Sequence, residues 1–183
     1  MTSSGQPSKG DFGTALTFQT PQELQHFAVE LAGHLRAGDV IILVGGLGAG
    51  KTTFTQGLGA GLKVGGQVSS PTFIISRIHR SKVSGPDLVH VDAYRLTEFL
   101  DLETLDLESE LDDAVLVVEW GKGLVEDLFP EHLEILIERP TGFVASDLDS
   151  FLQDPNGGAR RVALSGFGER WRELVASFGF GEK

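Results

Sequence analysis

The chain has 183 residues, 40% of them hydrophobic and 22% charged, with no cysteine and a net charge of −11. That length and balance suit one folded domain with a sizeable core, and the missing cysteines exclude disulfides, thiolate metal sites and a Cys nucleophile. An excess of 26 acidic over 15 basic side chains argues against a large nucleic-acid footprint of its own.

Residues 1–12 are polar and lack an apolar signal core, so they read as a disordered tail ahead of a single domain over 13–183. No apolar run is long enough to cross a bilayer, and a soluble cytoplasmic protein is expected. ALTFQT (15–20) suits a short strand. TPQE (20–23) then opens a helix, with Thr20 as N-cap, Pro21 at the first helical position and Glu23 three residues after the cap. Leu24, Phe27, Ala28, Leu31, Ala32 and Leu35 recur at helical spacing, and Gly38 is the expected stop. VIILV (40–44) is a continuous apolar run, as a buried strand requires. A glycine-rich turn follows, then a helix over about 51–62.

SSPTFIISRIHR reads as a loop entering a strand, KVSGPD (82–87) as a turn and LVHVDAY (88–94) as the next strand. These two strands can pair as a hairpin, which makes the sheet mixed. AVLVVEW (114–120) and LEILIER (133–139) are further buried strands. Between them and the hairpin, Glu98 to Asp113 carries eight carboxylates and no Lys or Arg, which suits a solvated face. TGFVASDLDSFLQDPNGGA (141–159) is weakly patterned and reads partly as loop. RRVALSG is a last strand and GERWRELVASF a last helix, with Trp171, Leu174, Val175 and Phe178 on one face. RIHRSK (77–82) is a local cationic cluster, read as an exposed hairpin tip.

GGLGAGKT, from Gly45 to Thr52, matches the phosphate-binding pattern G-x-x-x-x-G-K-[ST] and sits between an apolar strand and a helix, as that pattern needs. Glycines let successive amides converge on one anion, and the helix N-terminus adds partial positive charge. Lys51 can reach the outer phosphates and the Thr52 hydroxyl can ligate magnesium. The cradle comprises Gly45, Leu47, Gly48, Ala49, Gly50, Lys51, Thr52 and Thr53. The chain's one asparagine, Asn156, lies in DPNGG, so the guanine-reading N-K-x-D segment is missing and ATP is the expected nucleotide.

Such a site needs a strand-end carboxylate for hydrated magnesium. Asp92, ending LVHVD, and Glu119, ending AVLVVE, are the two candidates. Ser70 or Thr72, in SSPTF, could sense the γ-phosphate from a switch-like loop. Trp120 reads as core packing.

GGLGAGKTTF, SSPTF, HVDAYRL and VVEWGK, in this order over about residues 16–138, resemble the TsaE family, with a weaker likeness at RRVALSGFGERW. The resemblance implies an α/β fold: a P-loop NTPase-like mixed central β-sheet flanked by helices on both faces, with ATP and Mg2+ at the P-loop. It implies that Lys51 and Thr52 contact phosphates and metal, that Glu119 is the magnesium ligand, that Asp92 is a carboxylate needed for hydrolysis, that Ser70 and Thr72 lie in the switch-like loop, and that Thr20 lies near the adenine. It implies a weak ATPase that serves threonylcarbamoyladenosine (t6A) modification of tRNA together with TsaB and TsaD, meeting tRNA only through that complex. Gly46 departs from the aspartate usual in the family. A small-molecule kinase built on the same P-loop is the alternative, although the arginine-rich lid expected of one is not evident.

Overall fold

The computed structural model describes residues 15–71, 76–95, 107–139 and 158–178. The N-terminal tail, Thr72 and most of the 141–159 segment lie outside these residues, as does much of the acidic stretch.

Seven strands form one sheet: β1 (Leu16–Phe18), β2 (Val40–Val44), β3 (Ser76–His79), β4 (Asp87–Asp92), β5 (Ala114–Glu119), β6 (His132–Glu138) and β7 (Arg160–Phe167). Their order across the sheet is β1-β7-β6-β2-β5-β4-β3. The four central strands β6, β2, β5 and β4 are parallel; β3 pairs antiparallel at one side, and β7 with β1 at the other. The expected hairpin is therefore β3–β4, and the sheet is mixed. Unbroken apolar runs such as VIILV and AVLVV belong in the parallel centre because both of their faces are covered.

Alternation along each strand divides the core in two. Ile41, Leu43, Val115, Val117, Leu133 and Ile135 face a layer built by α1 (Pro21–Ala32), α2 (Lys51–Gly61) and α4 (Glu169–Ser177). Val40, Ile42, Val89, Val91, Leu116 and Val118 face the opposite side, under the short α3 (Leu107–Glu110) and the turns carrying Val125 and Phe129. Helices thus flank both faces, unequally.

α1 begins as the sequence predicts. Thr20 Oγ1 accepts from the Glu23 amide at 3.1 Å, and Glu23 reaches back to the Gln19 amide at 2.7 Å. It stops at Ala32, not at Gly38. Tighter turns run from Gly33 to Leu35, and Asp39, itself held by Arg170, takes the Arg36 amide at 2.8 Å, which diverts the chain from the helix. Gly38, at φ +87°, then ties to the Ala114 carbonyl beside β2.

α2 crosses α1 closely. Gly57 and Gly61, one turn apart on the same face, lie against Gln25, Ala28, Val29 and Ala32, where no side chain would fit. This crossing fixes the start of α1 beside the start of α2, and so shapes the site.

Candidate functional site

Strand β2 ends at Val44 and the chain turns through 45–50 into α2. Gly45 is needed for close approach, since a Cβ there would strike the Ile137 carbonyl oxygen of β6. Gly50 adopts φ +113°, a backbone that L side chains rarely take. At Gly46 there is open space and no such backbone, so an aspartate would fit there sterically.

A cavity of about 380 Å³ opens at the C-terminal ends of β2, β4 and β5, where open α/β sheets bind ligands. Of the residues predicted from sequence, Leu47, Gly48, Ala49, Gly50, Lys51, Thr52, Thr53, Ser70, Asp92 and Glu119 line it. Gly45 stands behind the wall and acts through its carbonyl. Thr20 does not line the cavity and its hydroxyl caps α1; Pro21 and Leu24 of that helix line the cavity.

Lys51 is buried at 4% exposure. Its Nζ donates to Gly45 O at 2.8 Å and Gly46 O at 2.9 Å, and lies 3.8 Å from the centroid of the Trp120 ring. Burial pushes its pKa below the ordinary lysine value, partly offset by the charges of Glu119 and Asp92. The ammonium is thus folded into the loop's own carbonyls.

The two candidate acids are side by side. Asp92 and Glu119 are register partners at the ends of β4 and β5. Thr52 Oγ1 donates to Glu119 Oε1 at 3.1 Å, which joins the start of α2 to the end of β5. Asp92 accepts from Ser70 Oγ at 2.8 Å and from the Tyr94 amide at 3.1 Å. Ser70 therefore orients a carboxylate in this form.

Three residues at the site were not given these roles by the sequence reading. His90 Nε2 lies 2.9 Å from Glu119 Oε1, with both side chains buried. Since a carboxylate can only accept, Nε2 carries the proton in this pair. The signal was available: His90 is a polar residue inside an apolar strand, two positions before Asp92 and on the same face. Trp120, expected in the core, does pack partly buried against the core cluster on the α3 side of the sheet, and it also reaches the cavity. It takes φ +62°, which ends β5 at Glu119 and turns the ring onto the cavity wall, 5.1 Å from Tyr94. Arg160, at the start of β7, also lines the cavity.

Among the described residues there is no group of three or more His, Asp or Glu able to hold a metal alone. A hydroxyl beside one or two carboxylates instead fits a hard cation shared with phosphate oxygens, the usual situation of magnesium. No helix among the described residues is long and apolar enough to cross a membrane.

Comparison with known proteins agrees with the fold. Residues 18–143 match the model of the family described as threonylcarbamoyl adenosine biosynthesis protein TsaE. A Streptomyces coelicolor protein named tRNA threonylcarbamoyladenosine biosynthesis protein TsaE is 52% identical over 142 residues, covering 77% of this chain and 88% of that one. The Bacillus subtilis protein of the same name is 39% identical over 120 residues, covering 65% and 73%. The crystal structure of Bacillus subtilis YdiB superposes with a TM-score of 0.67 at 29% identity, covering 91% of this chain and 95% of that one.

Proposed function

Because the chain belongs to the TsaE family of threonylcarbamoyl adenosine biosynthesis proteins, we propose that its 45–52 loop binds ATP with magnesium and hydrolyses it, in the service of t6A formation on tRNA. The observation that carries this reading is the join between loop and sheet. Thr52, the hydroxyl of the phosphate-binding pattern, is bonded to Glu119, the strand-end acid, while Lys51 is held within the loop.

The bound triphosphate and its metal would supply the scissile bond and neutralise its oxygens. This chain's residues do the rest. Lys51 exchanges the Gly45 and Gly46 carbonyls for phosphate oxygens. Thr52 and Glu119 hold the metal's place, Glu119 being steadied by His90. Asp92, kept in orientation by Ser70 and the Tyr94 amide, faces the cavity as the group that orders the attacking water. Pro21 and Leu24 give an apolar wall suited to the nucleoside end.

The proposed partners are TsaB and TsaD, in the cytoplasm, with tRNA met through the complex and not by this chain alone. A net charge of −11 suits that indirect role. The test is ATP hydrolysis by the full chain with and without TsaB and TsaD, with phosphate release to water as the readout. Turnover is expected to rise in the complex. Lys51→Ala should lower affinity and turnover together, and a Glu119→Ala variant of undiminished activity would reject the metal assignment.

A further inference from the structure

We propose that Arg160 is a positioning residue for the anion-binding loop: its guanidinium ties the Ala49 carbonyl to the start of β7 and so holds the loop in the shape that receives a polyphosphate. This rests on the nucleotide reading above and adds to it a residue beyond the family match, which ends at 143.

The loop is built to be permissive. Gly45, Gly48 and Gly50 all take positive φ, so the segment has much conformational freedom to lose when an anion gathers its amides. Among the described residues, two sets of bonds within the loop restrain it. The Ala49 amide donates to Gly46 O at 3.2 Å, and Lys51 holds Gly45 O and Gly46 O. The Lys51 bonds are the ones given up when the ammonium turns to phosphate. The loop then needs a tie that does not compete with the ligand.

Arg160 supplies one. Its Nε donates to Ala49 O at 2.7 Å across 111 residues of sequence, and its Nη1 donates to Gly158 O at 2.7 Å and Ala159 O at 3.1 Å. The planar fork thus links the loop to the backbone just ahead of β7, and β7, which carries Arg160, is fixed in the sheet by β6 and β1. Peptide planarity makes the tie more than local: fixing the Ala49 carbonyl fixes the Gly50 N–H on the other side of the same plane. Arg160 is 2% exposed and packs 3.6 Å from where a Gly50 Cβ would stand. Its neighbour Arg161 is exposed.

The experiment measures binding of ATP and of inorganic tripolyphosphate to the full chain by calorimetry. Arg160→Met is expected to weaken both by the same factor, about 10- to 100-fold, as loss of a charged hydrogen bond implies, whereas Arg161→Met leaves both within twofold. General destabilisation is separated by Leu174→Ala, a core change in α4 away from the cavity, which should lower the melting temperature without changing either affinity below the melt. Where Arg160→Met does not fold, Arg160→Lys carries the test. A single ammonium cannot span the Ala49 and Gly158 carbonyls together, so a loss of about fivefold is expected. A folded Arg160→Met, or in its place Arg160→Lys, that binds both ligands within twofold of the parent overturns the proposal. A parent chain that binds neither ATP nor tripolyphosphate overturns the nucleotide reading itself, and the proposal with it.

Discussion

Replacing Gly57 by alanine should destabilise the protein, although helix propensity alone points the other way. Within a helix, alanine is favoured over glycine by about 1 kcal/mol. Here a Cβ on Gly57 would fall against the Gln25 carbonyl oxygen and 2.6 Å from Ala28 Cβ, where carbon contacts normally stand about 3.5–4.0 Å apart. Relief requires α1 and α2 to separate by about 1 Å, against backbone that has no rotamer to adjust. Overpacking of this kind costs typically about 1–3 kcal/mol, and a clash with backbone belongs at the upper end. The net loss should be about 2 kcal/mol, or roughly 4–8 °C in Tm for a chain of this size. The same separation displaces Leu24 and Pro21 from the cavity, so ATP affinity should fall as well. Urea and thermal unfolding of Gly57→Ala measure the first effect and an ATP titration the second. Gly46→Ala, where a Cβ meets nothing within 4 Å, serves as the control and should shift stability by less than about 0.5 kcal/mol. A Gly57→Ala protein as stable as the parent, or more so, would refute the close-crossing argument.

His90→Leu removes the ring hydrogen-bond partner of the buried Glu119 and should cost about 1–3 kcal/mol in urea unfolding. The His90→Leu/Glu119→Leu double variant should recover much of that, and a single-variant loss below about 1 kcal/mol would mean that the pair is not coupled. Lys51 is held below its ordinary 10.5 by burial, so the unfolded chain binds that proton more tightly; stability should therefore rise with pH between the lowered folded value and 10.5. Lys51→Met should remove this rise, which unfolding midpoints across the alkaline range would detect. Burial raises the Asp87 carboxyl, but the Ser81 amide and Arg80, each at 2.6 Å, outweigh it and hold it below 3.8. Its contribution is present above pH 3.8 and lost as pH falls through the lowered value, so Asp87→Asn should flatten that part of the acid unfolding curve.

The parts of this site that sit within one local pattern were legible in the sequence. The α1 cap, the apolar β2 and the loop before Lys51 each depend on residues a few positions apart, and each forms where the pattern puts it. Glu119 and Asp92 were legible as strand ends. That they stand opposite one another depends on the pairing of β4 with β5, which periodicity does not encode. The end of α1 was misplaced for a related reason: Arg170, 131 residues from Asp39 along the chain, helps to orient the carboxylate that diverts the chain after Ala32. Trp120 packs against the core as its residue type suggests, but its second place, on the cavity wall, goes with a left-handed backbone that residue type does not encode. Arg160 carries no local signal at all, since its partner carbonyl is 111 residues away.

The placement of Lys51 bears on how the site works. A buried ammonium near two carboxylates could have formed an ion pair with one of them, and Glu119 would then have been occupied by lysine and not by Thr52. Instead the loop's two carbonyls and the Trp120 ring satisfy the ammonium, while His90 and Thr52 satisfy Glu119. Cation and acid are thus held apart by separate partners. A carbonyl is a weaker anchor for an ammonium than a charged oxygen is, so a phosphate can win Lys51 without first breaking a buried salt bridge. Had Lys51 been locked to Glu119, entry of a polyphosphate would have left a buried carboxylate unpaired, at a cost of several kcal/mol. Under the proposed function, keeping the two charges on different partners would let the loop exchange carbonyl for phosphate while Glu119 stays in place.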